Sequence, residues 1–268
     1  MEARLVKFAN KTEGQWHTRR YYPLTAENLI NLFAGEIPAI RLPRFIGPRD
    51  CSQIVENLKT LGMGTYAHVN HPVGRFGLAQ MEFHLTGSKE GYFQRVQEAQ
   101  MNYDKAISGA VDPVALLLST LRHTIDQEVG IATEPGHGQM FAGTFRNVMT
   151  AGYKHFDFAP IESEGWEIAK IENQVSWNLY LNQPVGGDLI VHNHRYELKD
   201  ETLRVEGQYF YADELVAGSD AFQYTPVVGD VVLFNSRYIH EVKPVTGDRF
   251  SLSSFIGQIS DESLILWS

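Results

Sequence analysis

Two periodicities divide the chain. Before about residue 139, apolar positions recur at helical spacing; after it, they alternate in short runs. Pro48–Leu61 sets Ile54, Leu58 and Leu61 on one side of a helix. A second helix is predicted over 89–107, polar overall but carrying Tyr92, Phe93, Val96 and Ala106. The clearest helical pattern runs over 112–129. It has Asp112 as N-cap, Pro113 at the first helical position, a stripe of Leu116, Leu117, Leu121 and Ile125, and Gly130 as a stop. From Gln139 onward, runs rich in Val, Ile, Phe and Tyr are separated by Gly, Asn, Asp and Pro, the mark of an antiparallel, sheet-rich roll. The expected fold is mostly β with flanking helices: a double-stranded β-helix, the jelly-roll shape shared with cupins. Residues 139–268 would form that core, with a mainly helical 1–138 packed on one outer sheet and the whole of 1–268 making one domain. The stretch 62–88, with Gly62, Gly64, Pro72, Gly74, Gly77 and Gly87, reads as irregular: a surface loop, or a lid over the roll's mouth.

Composition narrows the function classes. A chain of 268 residues, 43% hydrophobic and 21% charged, is that of an ordinary soluble globular protein. Its net charge of −9 gives no support for nucleic-acid or anionic-membrane binding. Cys51 is the one cysteine, so neither an intrachain disulfide nor a zinc–cysteine cluster can form. That suits a reducing compartment, and a cytoplasmic location is expected. Residues 1–14 show no apolar core of signal-peptide length, and no run of 18 apolar residues marks a membrane span. Oligomeric state leaves no trace in the sequence.

The candidate chemistry lies in the second half. In an extended strand, side chains two apart share a face, so His155 and Asp157 can offer an imidazole and a carboxylate to one ion. His240 would complete two histidines and one carboxylate, the set of non-haem Fe(II) oxygenases that leaves positions open for substrate and dioxygen. Arg249 and Ser251, again two apart, can hold a carboxylate by charge-assisted hydrogen bonds. A rival set is His192 and His194 with Glu197 nearby and His240 as a further ligand. That pattern is cupin-like, and would make an isomerase or a dioxygenase with no use for 2-oxoglutarate. A non-catalytic β-roll that binds a ligand is the third reading. Arg75, Arg146, Arg195 and Arg237 are candidates to meet an anionic group, with solvated or salt-bridged side chains as the alternative. Trp177, Phe156 and Phe158 read as core or pocket wall.

Order and context favour the first set. His155-Phe156-Asp157 is followed by Tyr180-Leu181-Asn182, Gly186-Gly187-Asp188-Leu189, the run Gly229 to Phe234, His240-Glu241-Val242 and Arg249-Phe250-Ser251. At these residues, about 140 to 268, the chain resembles the Fe(II)- and 2-oxoglutarate-dependent oxygenases. Its C-terminal part, ending Leu266-Trp267-Ser268, is also similar to the free-standing indole-alkaloid halogenases. Those halogenases carry glycine where this chain has Asp157, and chloride takes the vacated position. The resemblance therefore implies hydroxylation of an unactivated C–H bond in a free small molecule: an amino acid, a nucleotide-like compound or an alkaloid intermediate. It implies Fe(II) on His155, Asp157 and His240. It implies 2-oxoglutarate as co-substrate, anchored by Arg249 and Ser251, with Tyr180 either on the co-substrate or in the core.

Overall fold

The computed structural model describes residues 16, 20–66, 73–86, 88–261 and 263–268. Two antiparallel sheets face one another. The large sheet runs in the order Ile40–Leu42, Val231–Phe234, Asn173–Tyr180, Phe250–Ser260, Thr144–Val148, Val73–Phe76, Gly64–Thr65. Ser263–Trp267 also pairs with Phe250–Ser260, and Glu128–Ile131 lies parallel to it. The small sheet has four strands, ordered Ala221–Tyr224, Leu189–Arg195, Tyr238–Val242, Gly152–His155.

Alternation along the strands builds two cores. Val175, Trp177, Leu179, Val231 and Leu233 face outward into a large cluster with the helices. Tyr180, Val232 and Phe234 face inward, where they meet Leu189, Val191, Phe222, Tyr224 and Tyr238 of the small sheet. This is the jelly roll expected from the sequence, with helices on its outer face. The helix Pro48–Leu61 has the expected bounds and buries Cys51, Ile54 and Leu58, although Leu61 at its end is exposed. Lys89–Ala106 is the second expected helix.

Two local expectations are corrected. The helix begun by Asp112 ends at Thr124, not Val129, and Gly130 lies inside the strand Glu128–Ile131. That strand is drawn out of the helix by pairing with Ser263–Trp267, more than 130 residues away in sequence. The stretch 62–88 is not wholly irregular: Gly64–Thr65 pairs with Val73–Phe76, and Gln80–Thr86 is a helix. Pro72 and Gly87 lie outside the described residues, as does 1–14. The part before residue 138 carries the five longer helices among the described residues, and its short strands Ile40–Leu42, Gly64–Thr65, Val73–Phe76 and Glu128–Ile131 add to the large sheet. An unforeseen helix, Ala26–Ala34, is capped by the Thr25 side chain, which accepts from Asn28 N at 3.1 Å.

Candidate metal centre

Strand register brings the two histidines together. His155, the last residue of Gly152–His155, sits opposite His240 on Tyr238–Val242. His240 is also opposite Val191, an interior residue, so both imidazoles face into the roll. Their ring centroids are 4.2 Å apart. Asp157 is not on the strand with His155, as an ideal extended triplet would have it; the strand stops at His155. The following turn is fastened instead by hydrogen bonds. Asp157 N donates to Ser236 O at 2.8 Å, Ser236 Oγ donates to Asp157 O at 3.0 Å, and Gln174 Nε2 donates to the same carbonyl at 3.1 Å. Gln174 Oε1 then accepts from Ala159 N at 2.8 Å. Sequence reading missed Ser236 and Gln174, since an amide or hydroxyl that grips a backbone carries no local signature.

The outcome is a convergent set. Asp157 Oδ2 lies 3.3 Å from His240 Nε2 and 3.8 Å from His155 Nε2. One ligand atom from each of the three residues falls within 4.8 Å of the others, the one such group among the described residues. Each histidine uses its other nitrogen in the same way. His155 Nδ1 meets Tyr153 O at 2.7 Å, and His240 Nδ1 meets Tyr238 O at 2.9 Å. A carbonyl can only accept, so each Nδ1 carries the proton and each Nε2 presents a lone pair toward the carboxylate. That is the tautomer a metal requires. The side chains of His155 and Asp157 each keep 24% of their area accessible, so the space before them is open, whereas His240 keeps 7%. Burial, with His240 beside it, lowers His155 to about 4, so it is neutral and ready to ligate. Burial would raise Asp157, but His155, the His240 hydrogen bond and Arg146 outweigh it and hold the carboxyl at about 2. Glu162, by contrast, is pushed up to about 8 by desolvation and by Asp157.

The rival set is dispersed. Ile190 is opposite Glu241 and Val191 opposite His240, so His192 turns to the outer side with Glu241. His192 Nε2 lies 3.0 Å from Glu241 Oε1, and His194 Nε2 lies 3.0 Å from Asp200 Oδ2. These histidines have structural partners and do not reach His240.

A buried cation lies on the inner face of the large sheet. Arg249, 3% exposed, donates Nε to Gly187 O at 2.9 Å, and its guanidinium carbon stands 5.1 Å from the centre of the Tyr180 ring. Ser251 is opposite Tyr180 in the register. Arg249 Nη2 and the Tyr180 hydroxyl are buried without a hydrogen-bond partner among the described residues. The two groups are close enough to act on each other, yet neither completes a hydrogen bond of good geometry, which fits an anionic ligand with oxygen acceptors between them. Motif residues hold this cation in place. Asn182 Nδ2 donates to Asp248 O at 2.8 Å and its Oδ1 accepts from Phe250 N at 2.8 Å, clamping the chain on both sides of Arg249. Asn147 Oδ1 accepts from Arg249 N at 3.0 Å. Gly187 has φ 74°, and a Cβ there would come within 2.9 Å of Arg249 Cδ, so the glycine makes room for the arginine.

The remaining candidates are placed as follows. Arg146 faces the interior from Thr144–Val148, opposite Ser251. Arg75 is paired with Glu82 at 3.1 Å. Arg237 lies over the Phe158 ring at 4.8 Å. Phe156 stacks on Tyr196 at 3.7 Å between ring centroids, and Trp177 belongs to the outer core. Tyr209, missed from sequence, stands edge-on to His155 at 5.6 Å. It sits in the connection between Leu189–Arg195 and Ala221–Tyr224, which Glu201 knits by accepting from the hydroxyls of Tyr196 and Tyr211 and from Arg204.

The chain is similar to known proteins over most of its length. The family described as carrier-protein-independent halogenase WelO5 matches residues 27–268. The Leucinostatins biosynthesis cluster protein S of Purpureocillium lilacinum is 31% identical over 212 residues, 74% of this chain and 86% of that protein. The L-isoleucine 3(1)-dioxygenase of Pantoea ananatis is 27% identical over 188 residues, 65% of this chain and 63% of that protein. Among solved structures, an N-substituted L-amino acid dioxygenase from Burkholderia ambifaria, in complex with alpha-KG, superposes with a TM-score of 0.63 at 13% identity, covering 91% of each chain. At that identity the likeness speaks for the jelly-roll fold alone. The chain belongs to the carrier-protein-independent halogenase WelO5 family, and with it to the Fe(II)- and 2-oxoglutarate-dependent non-haem oxygenases.

Proposed function

We propose that the protein hydroxylates an unactivated C–H bond of a free-standing small molecule of the amino-acid class. The observation that carries this reading is the Asp157 carboxylate, 3.3 Å from His240 Nε2 and 3.8 Å from His155 Nε2. A carboxylate there fills the position that the resembling halogenases leave to chloride, which favours oxygenation over halogen transfer. His155, Asp157 and His240 hold the ferrous ion, each histidine through Nε2. Arg249 takes the far carboxylate of 2-oxoglutarate, with Ser251 and Tyr180 as neighbouring donors. The bound ion with 2-oxoglutarate supplies dioxygen activation coupled to decarboxylation: substrate, 2-oxoglutarate and dioxygen yield the alcohol, succinate and carbon dioxide. The protein's own contribution is orientation. Ser236 and Gln174 fix the carboxylate arm, the Tyr153 and Tyr238 carbonyls fix the imidazole planes, and the buried Arg249 fixes the co-substrate.

Free-standing substrate is supported by the family description, which is carrier-protein-independent. The amino-acid class is supported by the isoleucine dioxygenase among its relatives. The single cysteine, free and buried, fits a cytoplasmic setting, and no helix among the described residues is long and apolar enough to cross a membrane. The single-domain reading is supported by the shared sheet, whose edges are strands from before residue 138 laid against central strands from after it. Anaerobic addition of Fe(II) and 2-oxoglutarate should give a weak visible charge-transfer band. Screening metabolite pools for succinate release should then find a product heavier by one oxygen. A colourless mixture would point to a ligand-binding roll, and a chlorinated product would return the chain to the halogenases.

A further inference from the structure

Charge on the inner face of the large sheet bears on which molecule is oxidised. Register sets Arg75 opposite Arg146, Arg146 opposite Ser251, and Ser251 opposite Tyr180. Directly opposed residues share a face, and Tyr180 belongs to the interior cluster. Arg146 therefore rises from the floor of the same interior, one strand beyond the pocket assigned to 2-oxoglutarate. Two cations opposed across a sheet repel, so each needs a counter-charge. Arg75 has one in Glu82, at 3.1 Å. Arg146 has none among the described residues: its Nε donates to Tyr66 Oη at 2.9 Å, and no carboxylate pairs with its two Nη groups. The sequence from 67 to 72, which follows Tyr66, contains no acidic residue.

Neighbouring groups reach it only without an ion pair: against burial, Tyr66, Asp157 and Tyr209 together hold its pKa up. Asp157 is close enough to act on Arg146 through space, but it is committed to the two histidines and the ion. Glu162 is turned to its own loop, where Oε2 accepts from Phe158 N at 2.7 Å, and it forms no ion pair with Arg146. With the site loaded as proposed, the ferrous ion and Arg249 carry three positive charges, matched by Asp157 and the dianionic co-substrate. Arg146 is then left with no paired carboxylate among the described residues. A half-buried guanidinium with no ion-pair partner is free to take a monoanionic ligand by charge-assisted hydrogen bonds. We propose that Arg146, steadied by Tyr66, binds the carboxylate of the primary substrate, which makes that substrate a small monocarboxylic acid held with its aliphatic part toward His155, Asp157 and His240. This rests on the function proposed above and names the group by which the site recognises its substrate.

The test compares acids with their amides. L-isoleucine, L-leucine and their N-acetyl derivatives, each alongside its carboxamide, are titrated anaerobically by calorimetry into protein loaded with Fe(II) and 2-oxoglutarate. At least one acid should bind about 10- to 100-fold tighter than its amide, the span of one charge-assisted contact. Arg146→Gln should erase that preference, while the 2-oxoglutarate titration of the charge-transfer band keeps the parent midpoint. The acid-to-amide comparison on the parent needs no variant, so a poorly folding substitution does not blunt it. Equal binding of acid and amide, or no binding by any of the four acids, overturns the assignment. A weakened 2-oxoglutarate midpoint in Arg146→Gln also overturns it, by placing Arg146 on the co-substrate. Failure of the underlying function looks different: the band would be missing from the parent itself.

Discussion

At the scale of single residues, Asp157 and Arg249 divide the labour. Asp157→Gly removes the one anionic ligand from a set whose other two members are neutral. Hydroxylation should fall by at least about 100-fold, more than the loss of an outer-shell partner costs. Product mass spectrometry checks this, and hydroxylation at the parent rate would show the ligand to be misassigned. Arg249→Ala should act on binding: the 2-oxoglutarate concentration for half-maximal turnover should rise about 10- to 100-fold, with much of the maximal rate recovered at saturation. An unchanged co-substrate requirement would remove Arg249 from the pocket. The residues proposed to hold ion and co-substrate were legible because their chemistry restricts them to few residue types at fixed spacings. Ser236, Gln174 and Asn147 were not, because they act on backbone groups that any sequence possesses. Asn182 falls between: it stood out as part of a triplet, but its task of clamping both sides of Arg249 appears only in three dimensions.

Elements were legible where local rules act alone. Pro48–Leu61 has proline at its first position and glycine past its end, and nothing distant competes for it. The helix begun by Asp112 was read too long because its last residues pair with the C-terminal strand, a partner that no local window contains. Asp157 was read as strand for a related reason: alternation gives the face of a side chain, while the strand's end is set by Ser236 and Gln174 from other elements. The connection carrying Tyr209 allows a test at this scale. Glu201 there lies at about 2, down from an ordinary 4.5, chiefly through Arg204, with burial opposing and the Tyr211 and Tyr196 hydroxyls helping. A carboxyl depressed in the folded state adds stability that is complete above its unfolded value and disappears as pH falls through the folded one. The melting temperature of the parent should therefore exceed that of Glu201→Gln near neutrality, by an amount that shrinks below about pH 4.5 and vanishes near pH 2. A gap independent of pH would mean that Glu201 contributes by packing alone.

For the whole molecule, the roll gathers the candidate residues between two sheets that are each built from segments distant in sequence. The small sheet supplies His155 and His240, and the large sheet supplies Tyr180, Ser251 and Arg146. A ligand that bridges both sheets should stiffen the assembly. Ferrous ion with 2-oxoglutarate, each at about 100 times its dissociation constant, should add roughly 3 kcal/mol or more of stability under anaerobic conditions, and a chelator should reverse it. No change in melting temperature would argue that the native fold does not bind them. The most direct measurement is the iron-edge anomalous map of a crystal loaded anaerobically with Fe(II). A single peak within coordination distance of Nε2 of His155, Nε2 of His240 and a carboxylate oxygen of Asp157 is the expected result; a peak beside His192 and His194, or none between the sheets, would contradict it.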